Sequence, residues 1–230
     1  MDYFPDSQLR NELMSRLRDK YITDREDWPH LSEVIYCLTK SYFERTDPIQ
    51  VTEKELLYFS IGFALEDVLL RISGPSIESV ELDGLWLTPD YFALRGGQMD
   101  LKTTRMYADE MGRPKRGWPE GWMQQFKAYS YLEWVQAHSS EYPLAEGRLP
   151  DYFNYSVGIL YLGQPALECG TFKFTQQEIL DNWNNLQTRK EIFIDHMDKG
   201  VIPEPYAYTE AWACKECKYA PRCRSLTQGR

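Results

Sequence analysis

The chain has 230 residues, 43% hydrophobic and 27% charged, which excludes wholesale disorder and fibrous repeats and leaves room for one well-cored domain with an appendage. Lys and Arg number 26 against 35 Asp and Glu, so the net charge of −9 excludes a non-specific coat for nucleic acid, though not a local basic patch. No stretch approaches the roughly 18 apolar residues of a membrane helix, and Met1-Asp2-Tyr3 opens no basic-then-apolar leader; a cytoplasmic chain without membrane contact is expected.

The first 72 residues read as helical. Leu9, Leu13 and Leu17, with Met14, share a face at helical spacing, and a second helix is predicted from Ser32 to Phe43. Thr52 followed by Glu55 is a capping box that opens a third helix, running to about Ile72 before Gly74-Pro75. The period then changes to that of strands at Val80–Leu82, Leu85–Leu87, Tyr91–Leu94 and Met99–Lys102, with Asp83 late in the first. A helix is predicted from Pro119 to about His138, and strands at 155–162 and 166–174. Thr175 and Glu178 form a second capping box opening a helix to about Met197. Helices, strands, a helix, two strands and a helix in this order predict a mixed α/β domain around one central sheet.

Three carboxylates and a lysine fall where a metal site could form. Glu66 interrupts an apolar helix. Asp100 and Lys102, two apart on a strand, point to the same face, while Met99 and Leu101 point to the other. Hard divalent cations take such carboxylate oxygens, and a cation held there stabilises charge at a phosphate being cleaved. Solvated surface charges are the bland alternative. Gln125 and Tyr129, spaced i and i+4, share a helix face with Trp122. Either the glutamine and an aromatic bind a nucleic-acid backbone and stack on a base, or Trp122, Phe126 and Tyr129 are packing aromatics.

Five cysteines are too few for a disulfide framework in a chain this long. Cys214, Cys217 and Cys223 instead crowd into ten residues of the tail, offering three soft ligands. Cys37 or Cys169 is the candidate fourth; a buried free thiol is the ordinary reading of Cys169 in its strand. Four thiolates hold either zinc or an iron–sulfur cluster. The cationic residues are unevenly spread. Residues 101–118, with Lys102, Arg105, Arg113, Lys115 and Arg116, carry +3, and residues 212–230 carry +4. An electrostatic groove beside the acids is one reading; an ordinary mixed-charge surface is the other.

These stretches, taken together, resemble the RecB-like nucleases of the PD-(D/E)XK superfamily, most of all the CRISPR-associated single-strand DNA exonucleases that carry a 4Fe–4S cluster. The stretches are HLSEVIYCLTKSYFER (30–45), IGFALEDVLL (61–70), ELDGLW (81–86), MDLKTTR (99–105), QQFKAYSYL (124–132) and CKECKYAPRC (214–223). The resemblance implies a restriction-endonuclease-like α/β core at 61–200, with a central mixed sheet flanked by helices. An N-terminal helical region at 1–60 and a cluster-binding tail at 201–230 complete it. It implies that Cys37, Cys214, Cys217 and Cys223 ligate the cluster, and that Asp83 and Asp100 hold Mg²⁺ or Mn²⁺, which Glu66 can also ligate, with Lys102 as the motif lysine. Gln125 and Tyr129 fall on the QxxxY motif. Arg105, Arg113, Lys115 and Arg116 are the expected nucleic-acid contacts. Two residues depart from the pattern: Glu66 stands where the relatives usually have a histidine, and Asp100 where glutamate is more frequent. The expected activity is metal-dependent hydrolysis of DNA single strands or ends in antiviral defence, with integrase or recombination proteins and self-association as further candidate partnerships. The rival expectations are a catalytically weak module that binds DNA ends in an adaptation complex, and a zinc-bound structural adaptor.

Overall fold

The computed structural model describes residues 7–21, 28–73, 79–89, 99–138, 149–204, 211–215 and 217–228. Eight helices and five strands are formed among them: α1 (Ser7–Tyr21), α2 (Leu31–Ile35), α3 (Leu38–Thr46), α4 (Glu53–Ser73), β1 (Val80–Leu82), β2 (Leu85–Leu87), β3 (Met99–Thr104), α5 (Glu120–His138), β4 (Tyr152–Tyr161), β5 (Ala166–Thr175), α6 (Gln176–Lys199), α7 (Ala211–Lys215) and α8 (Ala220–Gln228). No described helix is long and apolar enough to cross a membrane.

The central sheet has the order β3-β4-β5. β3 runs parallel to β4, with Asp100 opposite Val157 and Lys102 opposite Ile159. β5 returns antiparallel to β4, so the sheet is mixed. Parallel neighbours need a crossover, and α5 lies within the one joining β3 to β4. It lays Phe126, Tyr129 and Leu132 on the sheet face that carries Tyr155 and Val157. Fully burying each such side chain contributes about 1.5–3 kcal/mol. α4 meets the opposite face, where a Cβ on Gly62 would lie 3.5 Å from Thr103 Oγ1. α4 also runs without a break across residues 60–61.

Both capping boxes form. Thr52 Oγ1 accepts from the Glu55 amide, and the Glu55 carboxylate accepts from the Thr52 amide. Thr175 and Glu178 repeat the arrangement at the start of α6. α6 ends at Gly200, whose φ of 63° suits glycine in the left-handed region.

Four expectations need correction, and the strand predicted at 91–94 lies outside the described residues. Among the described residues the sheet is not single: β1 and β2 form their own antiparallel hairpin. Asp83 is not late in a strand but in the hairpin turn, with φ 49° beside Gly84 at 71°; Asp-Gly is the pair that tight hairpin turns select. The helix expected over 32–43 is two helices, broken by extended backbone at Tyr36 and Cys37. The Arg189 guanidinium, buried on α6, donates to the Val34 and Tyr36 carbonyls at 2.5 Å each, satisfying groups that a continuous helix would have used itself. Cys169 is exposed rather than buried, because β5 is the edge of the described sheet. In α1, Met14 is buried while Leu9 and Leu13 are exposed.

Candidate functional site

The alternation of β3 carries Asp100 and Lys102 to the face that α5 covers. Asp100 has no solvent exposure, and its Oδ2 lies 2.7 Å from Lys102 Nζ. This is close contact of opposite charges without hydrogen-bond alignment, since among the described residues neither carboxylate oxygen accepts a hydrogen bond. The Lys102 ammonium also lies 5.8 Å from the centre of the Phe126 ring, adding a cation–π attraction. A buried carboxylate of this kind, with oxygen lone pairs open and a cation against it, has the donor chemistry a hard divalent ion requires.

Asp83 is held differently. Trp183 Nε1 donates to its Oδ2 at 3.0 Å, and Lys190 Nζ donates to its backbone oxygen at 2.5 Å. The Tyr131 ring lies 4.9 Å from Trp183. Its hydroxyl pKa is raised, first by burial and then by the Asp83 charge. Glu66 lies on α4, one turn after Gly62, and its side chain is outside the described residues. Among the described residues no three His, Cys, Asp or Glu side chains gather as a metal site.

The QxxxY pair on α5 makes its own contact. Gln125 Nε2 donates to the Tyr129 hydroxyl at 3.0 Å, and that hydroxyl donates to the Thr88 carbonyl at 2.8 Å. The pair therefore pins the end of β2 to α5. Phe126 and Tyr129 are buried in the core, as the packing alternative held.

An open cavity of about 140 Å³ lies over β4 and β5, one strand across from the Asp100–Lys102 pair, and neither residue of the pair lines it. Val157 and Ile159 form its floor, and they are the strand partners of Asp100 and Lys102. Its walls are Trp118, Phe172, Glu168 and Arg113. The Trp118 and Phe172 rings meet edge to face at 4.6 Å. Sequence reasoning missed Trp118; the signal was an aromatic directly after a basic loop, Lys115-Arg116-Gly117-Trp118. Of the four expected nucleic-acid contacts, Arg105 packs over the Tyr58 ring at 4.5 Å. Arg113 pairs with Asp109 at 2.8 Å, and Lys115 and Arg116 are exposed. Hydrogen bonds from the backbone and side chain of Arg113 hold the Asp109 carboxyl below its ordinary range.

The tail docks onto α3. Tyr219 stacks on Phe43 at 5.5 Å and accepts a hydrogen bond from the Ile49 amide. Lys218 donates to the Ile49 carbonyl, and Arg222 donates to the Asp47 carbonyl while pairing with its carboxylate. Cys37 is the N-cap of the same α3. The Cys223 thiol is pushed up, first by burial and then by the charges that Cys37, Cys217 and Cys214 would carry. Cys37, Cys214 and Cys217 are thus near enough to act on the Cys223 thiol, whereas Cys169, on the edge strand, does not contribute to the shift.

The fold recurs in a solved structure. The crystal structure of SSO0001 superposes with a TM-score of 0.54 at 11% identity, covering 95% of this chain and 97% of that one; this shows a shared fold and nothing about activity. The crystal structure of an alkaline exonuclease (LHK-Exo) from Laribacter hongkongensis aligns at 9% identity over 81% of this chain and 89% of that one. Its TM-score of 0.35 is too loose to carry an argument. No family model matches the chain, and no curated protein does.

Proposed function

We propose that this chain is a divalent-metal-dependent deoxyribonuclease with a PD-(D/E)XK core, acting on single strands or free ends. The observation that carries the reading is the wholly buried Asp100 carboxylate with Lys102 2.7 Å away, on the sheet face that borders the cavity. Asp100 and Asp83, with Glu66, would hold Mg²⁺ or Mn²⁺. Such an ion, when bound, supplies an acidified water and charge stabilisation at the phosphoryl oxygens. Lys102 contributes a positive charge fixed by Asp100 and Phe126, ready to donate a hydrogen bond to a phosphate oxygen as negative charge grows there. Gln125 and Tyr129 hold the end of β2 against α5 and so keep that wall of the site in place. The +3 charge of residues 101–118 draws a polyanion to the cavity mouth. Cys37, Cys214, Cys217 and Cys223 would hold a 4Fe–4S cluster whose role is to fasten the tail to α3. The resemblance of the motifs to CRISPR-associated nucleases would set such an activity in antiviral defence.

The test is degradation of end-labelled single- and double-stranded DNA by anaerobically purified protein with Mn²⁺, Mg²⁺ or EDTA. Metal-dependent loss of single-stranded label, abolished in Asp100→Asn with the circular dichroism spectrum kept, is the expected result. Undiminished cleavage by Asp100→Asn would remove the proposal. One observation favours the second reading, a DNA-end-binding module with little activity: the Asp83 carboxylate is already engaged by Trp183. That reading predicts DNA binding without metal-dependent degradation.

A further inference from the structure

The cavity over β4 and β5 combines features that a metal site does not need. Two of its walls are the edge-to-face rings of Trp118 and Phe172, its rim carries Arg113, and a third wall is the exposed carboxylate-bearing Glu168. Phe172 continues inward to Phe126 at 5.5 Å, the ring over which the Lys102 ammonium sits. An aromatic line therefore joins the cavity to the lysine. The floor residue Ile159 lies opposite Lys102 in the sheet, one strand spacing away, about 4.8 Å.

The loop above is fixed. Asp109 accepts from the Met111 and Arg113 amides and from Arg113 Nε, and the Ala108–Pro114 bridge closes its base. Gly112, at φ 73°, lies so close to Glu168 that an added Cβ would stand 2.9 Å from Glu168 Oε2. The carboxylate is thereby set against the loop backbone. Arg113 is held by Asp109, and Lys115 and Arg116 on the same loop are exposed. Flat aromatic walls, a basic rim and one carboxylate acceptor fit a nucleobase attached to a phosphodiester better than they fit a sugar or an apolar ligand.

We propose that this cavity is a nucleobase subsite, in which one base of a DNA strand stacks on Trp118 and donates its exocyclic amino group to Glu168, while its phosphate lies toward Lys102. The carboxylate selects adenine, cytosine and guanine, which carry that amino group, over thymine, which does not. The proposal rests on the nuclease reading for the identity of the polymer, not for the chemistry of the pocket.

The experiment measures binding, so that it stands apart from cleavage. Fluorescence anisotropy of labelled single-stranded oligonucleotides in EDTA, with each of the four bases placed at each end in turn, is compared between wild type, Trp118→Ala, Trp118→Phe and Glu168→Gln. Base stacking on one aromatic is worth enough that Trp118→Ala is expected to weaken binding roughly 5- to 150-fold, with Trp118→Phe recovering most of the loss. Glu168→Gln is expected to erase the preference against thymine at one end. Quenching of tryptophan fluorescence by deoxynucleoside monophosphates, lost in Trp118→Phe, reports the same contact without a polymer. Unchanged oligonucleotide affinity in a folded Trp118→Ala overturns the subsite and leaves the nuclease reading intact. Amino-base-selective monophosphate quenching in a protein that never cleaves DNA supports the subsite and overturns the nuclease.

Discussion

Replacing Lys102 by Met tests the pair on which the site is built. Asp100 is wholly buried and Lys102 Nζ is 2.7 Å from its Oδ2. At that distance the gross attraction is about 6 kcal/mol with an effective dielectric constant near 20. The desolvation of both groups takes back much of it, so the net worth of the pair is small. Removing one partner is a different matter, because the remaining charge is left buried and unopposed. We expect Lys102→Met to lower the unfolding free energy by about 3–5 kcal/mol, a large part of the roughly 5–15 kcal/mol of an ordinary domain. Asp100→Asn should cost less, about 1–2 kcal/mol, since the lysine keeps some access to water and its amine can turn toward it. The double variant should be more stable than Lys102→Met alone. Urea unfolding followed by circular dichroism in EDTA at pH 7 reads these values; with a slope of about 2 kcal/mol/M, the midpoint of Lys102→Met falls by roughly 1.5–2.5 M. A midpoint within about 0.3 M of wild type, or strict additivity in the double variant, would refute the buried pair.

Arg189→Met should destabilise the fold by about 2–4 kcal/mol, because it leaves the Val34 and Tyr36 carbonyls without their charged donor; Arg189→Lys, which cannot span both, should recover only part in the same urea titration. Glu178 has its pKa lowered, first by the Thr175 amide and then by the Thr175 hydroxyl. Its contribution is therefore present above the ordinary carboxylate range and is lost as pH falls through the lower folded value, so melting temperatures of Glu178→Gln should show a shallower acid limb than wild type. Removing the proposed metal ligand should be visible without catalysis: Mn²⁺ is expected to raise the melting temperature of wild type and to leave Asp100→Asn unmoved. Cys217→Ser should lose visible absorption and iron together; zinc in the colourless wild type would count against iron.

What the sequence reveals of this fold is what neighbours in the chain decide. The capping boxes at Thr52 and Thr175 close within four residues, and both form where their spacing puts them. The shared face of Asp100 and Lys102 follows from the two-residue repeat of a strand, and the 2.7 Å contact is its consequence. The break at Tyr36–Cys37 was hidden because its cause, Arg189, lies 153 residues away from Tyr36. Cys169 looked buried because an alternating strand does not say whether it will sit at the edge of a sheet. Asp83 is the instructive miss: the Asp-Gly pair carries a turn signature, yet the apolar residues on both sides concealed it. Its engagement by Trp183 is a contact across 100 residues that no local pattern contains. Trp118 and Glu168 face one cavity only because the 109–118 loop folds over β5.

Helix α6 gives these long-range contacts a common cause. Trp183 holds the Asp83 carboxylate, Lys190 holds the Asp83 carbonyl, and Arg189 holds the two carbonyls that precede Cys37. These three side chains lie within eight residues, about 10 Å along the axis. One rigid rod therefore sets the hairpin turn on one side and the start of α3 on the other. α3 in turn receives the tail through Phe43, Asp47 and the thiol neighbourhood around Cys37. The thiols of the tail and the acids are separate groups, but they share this support. Loosening the tail frees α3 from one side only, whereas loosening Arg189 frees α6 from the backbone it steadies. The stability of the carboxylate end should accordingly respond more to Arg189 than to any single cysteine.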